Sequence, residues 1–294
     1  MEKAITRTGI KELKKLFSGK VRDIYEVKES TWLIITTDRI SAFDVVFDEG
    51  IPQKGIILNA ISNKWFSRMK FIPNHIISDE PGTELKFLNG YEGLSERSVL
   101  VKKVDRFPVE CVVRGYLFGS VYNEYKNNGT AGGNKLKPGL ELAEKLPEPI
   151  FTPSTKVSEG HDRNISYTEM CGIINKKNAD RIIECSMRIY KEALSIMEKN
   201  GIILADTKFE FGLDESGALI LIDEVLTPDS SRYWDKTSYK TGTSPQSYDK
   251  QFVRDYLDSI GWDRNPPAPH LPLEIIMKTR EKYGGLFSVI EEIV

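Results

Sequence analysis

The stretch "IILADTKFEFGLDESGALILIDEVLTPD", residues 202–229, decides the reading of the chain. Two apolar runs flank "DESG", a turn sequence, so the segment reads as a β-hairpin. Strand side chains alternate between faces. Asp206, Lys208, Glu210 and Gly212 therefore share one face. Ala205, Thr207, Phe209, Phe211 and Leu213 share the other, the natural core face. If Leu213 pairs with Ala218, Lys208 faces Asp223, and Glu210 lies one diagonal step away, still within reach of it. A one-residue slip or a bulge brings in Glu224 instead of Asp223.

Carboxylates crowded on one sheet face repel each other and call for positive charge. Lys208 supplies one charge. A hard divalent cation would supply the rest, and Mg2+ commonly takes one or two carboxylates plus substrate phosphates and water. The alternative is a salt-bridged solvent face. Leu219, Leu221 and Val225 on the same face of the second strand set the carboxylates beside apolar surface, which favours the edge of a nucleotide cleft.

Other segments around this hairpin carry chemistry. In "FSGKVRDIYEV", Gly19 and Lys20 precede a strand; this is no P-loop, but such a hairpin mouth can lie over phosphates. In "FPVECVVRGYLFGS" a strand ends in Arg114, and Gly115, Gly119 and Ser120 bend the chain. An arginine fork with a hydroxyl and free backbone N–H groups suits a phosphate or a carboxylate, although Arg114 paired to Glu110 is an equal reading. "LTPDSSRYWD" offers Asp229, Ser230, Ser231 and Arg232 directly after the acidic strand, and "TPSTKVSEGHDRNIS" offers Lys156, His161 and Asp162. "TTDRISAFD", with Asp38, Arg39, Ser41 and Asp44, reads as a strand-end turn or a pocket lip.

The rest of the chain supplies the scaffold. A hairpin near residues 28–30, strands over 99–104 and 109–113, and a helix with Ile57, Ile61, Trp65 and Met69 on one stripe make the first part strand-rich. Residues 127–153 are rich in Gly and Pro and read as a long loop. A helix over about 180–200 follows, with Ile183, Met187, Tyr190, Leu194 and Met197 as its stripe and Gly201 as its stop. Two helices end the chain, "SYDKQFVRDYLDSIG" capped by Ser247, and "PLEIIMKTREKYGG".

Composition sets the bounds. The chain has 294 residues, 40% hydrophobic, enough for a sizeable core in one large domain or two lobes. Its net charge of −2 argues against a nucleic-acid partner. Cys111, Cys171 and Cys185 are odd in number and match no metal spacing, which points to a reducing compartment. No apolar run reaches the roughly 20 residues of a membrane span, and the N-terminal stretch has no signal-peptide core, so a soluble cytoplasmic protein is expected.

In order along nearly the whole chain, "GKVRDIYE", "TDRISAFD", "PVECVVRGYLFGS", "TPSTK", "HDRNIS", "ADTKFEFG" and "DEVLTPDSSRYWD" resemble the SAICAR synthetase family of purine biosynthesis. Length and the extended C-terminal part are similar to its longer, yeast-like form. One departure is Phe118, where the family pattern has a small residue. The resemblance implies an α+β, ATP-grasp-like or kinase-like two-lobe fold. Residues 1–110 would form a strand-rich nucleotide-covering lobe and 111–294 a mixed lobe, with ATP between them. It implies an ADP-forming carbon–nitrogen ligase that joins the imidazole carboxylate nucleotide CAIR to L-aspartate. It places Mg2+ on Glu210 and Asp223, with Lys208 and Asp229 completing the catalytic set. ATP would meet Gly19, Lys20, Arg22, Glu110, Val112, Asp206 and Lys208. CAIR would meet Arg114, Ser120, Asp229 and Arg232, and aspartate Ser41, Lys156 and His161. The partners implied are small molecules only, with oligomeric state left open. The competing reading, a kinase-like phosphotransferase on a small phosphorylated metabolite, would need an "HRD"-type catalytic loop, which the sequence lacks.

Overall fold

The computed structural model describes residues 3–156 and 163–294. Its architecture is α+β, built on two main sheets. The alternating run that begins at Ile202 forms a single 12-residue strand, Ile202–Leu213. This strand pairs antiparallel with four others: Val109–Tyr116, Ser231–Asp235, Leu219–Ile222 and Asp105–Arg106. The other sheet is N-terminal, in the order Lys14–Ser18, Arg22–Lys28, Thr31–Thr36, Ser98–Lys102, Ile76–Ser78. Its hairpin closes at Lys28 and Thr31, where the sequence predicts it.

Three expectations are corrected. The supposed loop over 127–153 contains the short pair Thr130–Ala131 and Asn134–Lys135, then an 11-residue strand, Lys145–Thr155, paired with Val109–Tyr116. Pro147, Pro149 and Pro153 hid it. Proline is tolerated because this strand is at the sheet's edge, where one side of the backbone has no ladder to feed. The fully buried line of the helix Lys176–Lys199 is Ile182, Ile189, Tyr190, Ala193 and Met197, one step round from the expected stripe, with Ile183, Met187 and Leu194 half-buried at its margin. Ser247 does not cap the helix Gln251–Ser259; its hydroxyl donates to the Tyr233 carbonyl at 3.1 Å. Asp249 accepts the Gln251 amide at 2.7 Å instead, setting a carboxylate at the helix's positive end. The last helix runs over Leu273–Ile293, through Gly284 and Gly285.

The two parts of the chain interleave. The expected lobe boundary at 110 falls inside the strand Val109–Tyr116 of the larger sheet. The hairpin Arg39–Ala42 and Val45–Gly50 buries Ile40 and Phe47 against Val253, Leu257 and Leu271 from the C-terminal part. The helix Lys54–Arg68 buries its predicted stripe, Ile57, Ile61, Trp65 and Met69. Its start leans on the Thr36 carbonyl, so closely that a Cβ on Gly55 would stand 2.2 Å from that oxygen. The Gly55 amide donates to Asp38 Oδ1 at 2.8 Å, and Arg97 meets the same oxygen at 2.7 Å. No helix among the described residues is long and apolar enough to cross a membrane.

Gly55→Ala is expected to lower the urea unfolding midpoint by the equivalent of about 1–3 kcal/mol, because the added methyl overpacks the backbone contact. A midpoint equal to wild type would show that the helix start is free to shift.

Asp23 gives a pH prediction. Burial opposes its ionisation, but hydrogen bonds from Ser18, Thr8, Arg39 and Lys15 outweigh burial and pull its pKa down from 3.8 to about 2. A carboxyl lowered by folding stabilises above its unfolded pKa and loses that share as pH falls toward the folded one, here from about 4 to about 2. Asp23→Asn is expected to flatten the fall in stability across that window by about 2 kcal/mol, measured by urea titration at each pH. An unchanged slope would rule out Asp23 as its source.

Candidate functional site

The register of the opening hairpin differs by one residue from the first alternative above. Leu213 pairs with Leu219 rather than Ala218, and Glu210 lies opposite Ile222. The cause is the turn. The Asp214 and Ala218 backbones bond across a three-residue loop, Gly217 takes the left-handed conformation at φ 77°, and Asp214 Oδ1 accepts from the amides of Ser216 and Ala218. Lys208 is thus in line with position 224, not 223, but the ladder stops at Ile222. Asp223 turns left-handed at φ 68°, and both Asp223 and Glu224 swing onto the guanidinium of Arg22.

The polar row on the strand Ile202–Leu213 is buried at both ends, and each member has an opposite charge beside it. Asp206 accepts from Arg114 at 3.1 Å and from Arg232 at 2.6 Å. Lys208 donates to Glu110 at 2.9 Å. Glu210 is paired with Lys156 and stands 3.7 Å from Arg106. Burial works to raise the Glu210 pKa, but Lys156, Lys208 and Arg106 outweigh it and keep the carboxyl below its ordinary value.

The Asp206 and Lys208 end of the row opens into a cavity of about 280 Å³. Arg114, Lys208, Arg232, Lys250 and Arg254 line it with Glu110, Asp206, Asp229 and Asp249. Ser120, which begins the helix Ser120–Asn128, lines it too, so helix amides and arginines meet at one wall. Arg232 Nε is buried there without a hydrogen-bond partner and stands 3.7 Å from Asp249 Oδ2. A buried guanidinium donor left over after Asp206 has taken Nη1 is chemically suited to an anion. Phe118, the departure from the family pattern, is absorbed by this wall. Its ring stands edge-on to Trp234 at 5.3 Å, and the Arg232 guanidinium lies over it at 4.8 Å.

Asp229 is the most enclosed carboxylate of the site. Lys54 reaches it at 2.7 Å, Lys250 at 3.1 Å and the Tyr283 hydroxyl at 2.7 Å. Burial opposes its charge, but Lys250, Lys54 and Tyr283 hold its pKa far below the carboxylate range. Sequence reasoning missed Lys54, Lys250 and Tyr283, along with Asp249 and Arg254. Two of them left a signal: Lys54 is in phase with Leu58, Ile61 and Trp65, and Tyr283 with Leu286 and Ile290, so each is a polar group on a buried stripe.

Among the remaining expected site residues, Gly19, Lys20, Arg22, Ser41 and Lys156 fall outside this cavity. Gly19, Lys20 and Arg22 form the mouth of the first hairpin. The Gly19 amide donates to the Arg22 carbonyl at 2.7 Å, Lys20 is paired with Asp44, and Arg39 donates to the Gly19 carbonyl at 2.9 Å. Val112 lines the cavity beside Glu110. Ser41 is buried within its hairpin, and Lys156 points to Glu210. His161 lies outside the described residues.

The donors suit magnesium in kind. Glu210 and Asp223 offer hard carboxylate oxygens, now held by Lys156 and Arg22. Among the described residues no cluster of three or more His, Cys, Asp or Glu is gathered, so a metal there would need phosphate and water oxygens to complete its shell.

A family model described as SAICAR synthetase matches residues 15–269. The phosphoribosylaminoimidazole-succinocarboxamide synthase of Thermodesulfovibrio yellowstonii is 51% identical over 292 residues, 99% of each chain. That of Geotalea uraniireducens is 51% identical over 289 residues, 96% of each chain. The solved SAICAR synthase of Saccharomyces cerevisiae, complexed with SAICAR, superposes with a TM-score of 0.89 at 41% identity, covering 98% of both chains. A type-2 SAICAR synthetase in complex with ADP shares the fold, with a TM-score of 0.69 at 24% identity, covering 94% of this chain and 97% of that one. With a family match over most of its length and relatives alike from end to end, the chain belongs to the SAICAR synthetase family.

Proposed function

We propose that the chain condenses CAIR with L-aspartate at the expense of ATP, giving SAICAR, ADP and phosphate in purine biosynthesis. The observation that carries the reading is the single strand Ile202–Leu213, with Arg114 and Arg232 at one end of its polar row and Lys156 and Arg106 at the other. Asp206 and Glu210 are four residue steps apart along the strand, roughly 13 Å, so one substrate can be held by its phosphate while its carboxylate lies near the other end. The three cysteines are unpaired, which supports a reducing, cytoplasmic setting.

On this reading Arg114, Ser120 and Arg232 hold the CAIR phosphate, and the unpartnered Arg232 Nε gains its acceptor there. Gly19 and Lys20 lie over the ATP phosphates, with Glu110 and Val112 along the adenine. Magnesium, held by Glu210 and Asp223 when bound, would neutralise phosphate charge and orient the γ-phosphoryl group. Arg22 and Lys156, released from those carboxylates, then face the incoming anions, and Lys208 keeps positive charge beside the transferring group. A carboxylate is a poor acyl donor until its oxygen can leave. The CAIR carboxylate oxygen attacks the γ-phosphorus and ADP departs. The aspartate amine then attacks the resulting acyl phosphate, phosphate leaves with that oxygen, and the nitrogen loses a proton. Ser41, Lys156 and His161 are the residues assigned to aspartate.

The reading is tested by ADP release from purified protein with ATP, magnesium, CAIR and aspartate, omitting each in turn. All four are expected to be required; release indifferent to CAIR and aspartate would refute it. Glu210→Gln is expected to cut kcat about 100-fold or more with its thermal midpoint retained. Wild-type turnover in that variant would remove Glu210 from the metal. Arg232→Ala is expected to raise KM for CAIR about 10- to 100-fold. An unchanged KM would move the phosphate elsewhere.

A further inference from the structure

Asp229 joins segments far apart in the chain. Its Oδ1 accepts from Tyr283, and its Oδ2 meets both Lys54 and Lys250. Lys54 and Tyr283 are wholly buried and do not line the cavity; Lys250 does. Tyr283 belongs to the helix Leu273–Ile293, beyond residue 269, where the family match stops.

With one donor on each oxygen from behind, the Asp229 carboxylate cannot rotate. The Tyr283 ring also lies 5.8 Å from the Lys54 ammonium, so the two donors brace each other. Burying a hydroxyl and an ammonium is costly, and apolar residues of similar shape would pack at least as well. Burial lowers the Lys54 pKa to about 8 even with Asp229 beside it. Their placement makes sense if the orientation of Asp229 matters, and Lys250 is the partner through which that orientation reaches the cavity.

We propose that Tyr283 and Lys54 are positioning residues of the site, acting through Asp229 to hold the Lys250 ammonium against an anionic group of CAIR or aspartate. The proposal rests on the ligase reading above, and it makes the C-terminal helix part of the site.

The test is a cycle of Tyr283→Phe, Lys250→Met and the double variant, reading kcat, the KM of each substrate and the thermal midpoint. Tyr283→Phe is expected to raise the KM of CAIR or of aspartate about 5- to 30-fold, with kcat changed less and the midpoint within a few degrees. Lys250→Met is expected to raise the same KM further, and the double variant to be no worse than Lys250→Met, because both act on one contact. Effects that multiply in the double variant, or a Tyr283→Phe enzyme with every KM within twofold of wild type, would overturn the proposal alone. A wild-type protein whose ADP release ignores CAIR and aspartate would overturn the ligase reading and this proposal with it.

Discussion

A carboxylate removed from water must have a cation beside it, and that requirement organises this molecule. Asp23, Asp38, Asp206, Glu210 and Asp229 are all buried, and each has an arginine or lysine against it. Several partners come from remote sequence: Lys54 is 175 residues from Asp229, and Arg114 is 92 from Asp206. Such pairs add little net stability over apolar packing, yet losing one partner costs about 3–5 kcal/mol. They are therefore poor as glue and strict as constraints. In the cavity they keep the charged side chains neutralised and in place.

The division of labour follows from where the pairs sit. Asp38 ties the Arg97 guanidinium to the start of the helix Lys54–Arg68, which carries Lys54 to Asp229. Asp23 and Arg39 fix the hairpin mouth that presents Gly19 and Lys20. These interactions decide where Lys54 and the first hairpin's mouth stand.

Much of this was legible in the sequence. Alternation along residues 205–213 placed Asp206, Lys208 and Glu210 on one face, and the quoted motifs pointed to the family. Alternation left two registers open, one residue apart, and the choice between them rests on Gly217 adopting a left-handed turn, which alternation does not encode. Asp223 left the ladder for a similar backbone reason, carrying Glu224 with it onto Arg22. Lys54 and Tyr283 were visible only as polar letters in apolar stripes, and their meaning required two helices and a loop to converge. Asp249 and Lys250 read only as part of the first turn of a helix capped by Ser247, and it is the tertiary fold that sets them against Arg232 and Asp229.

The proline-bearing strand Lys145–Thr155 has a consequence for how the protein meets copies of itself. A free sheet edge invites a strand from another chain, with aggregation as the result. Here Pro147, Pro149 and Pro153 remove three amide donors from the outermost strand, while Ile165 and Arg163 bond back to Pro153 and Thr155 and occupy its far end. The residues that disguised the strand in the sequence also guard it, leaving the flank of the larger sheet a weak template for strand exchange in a crowded solution.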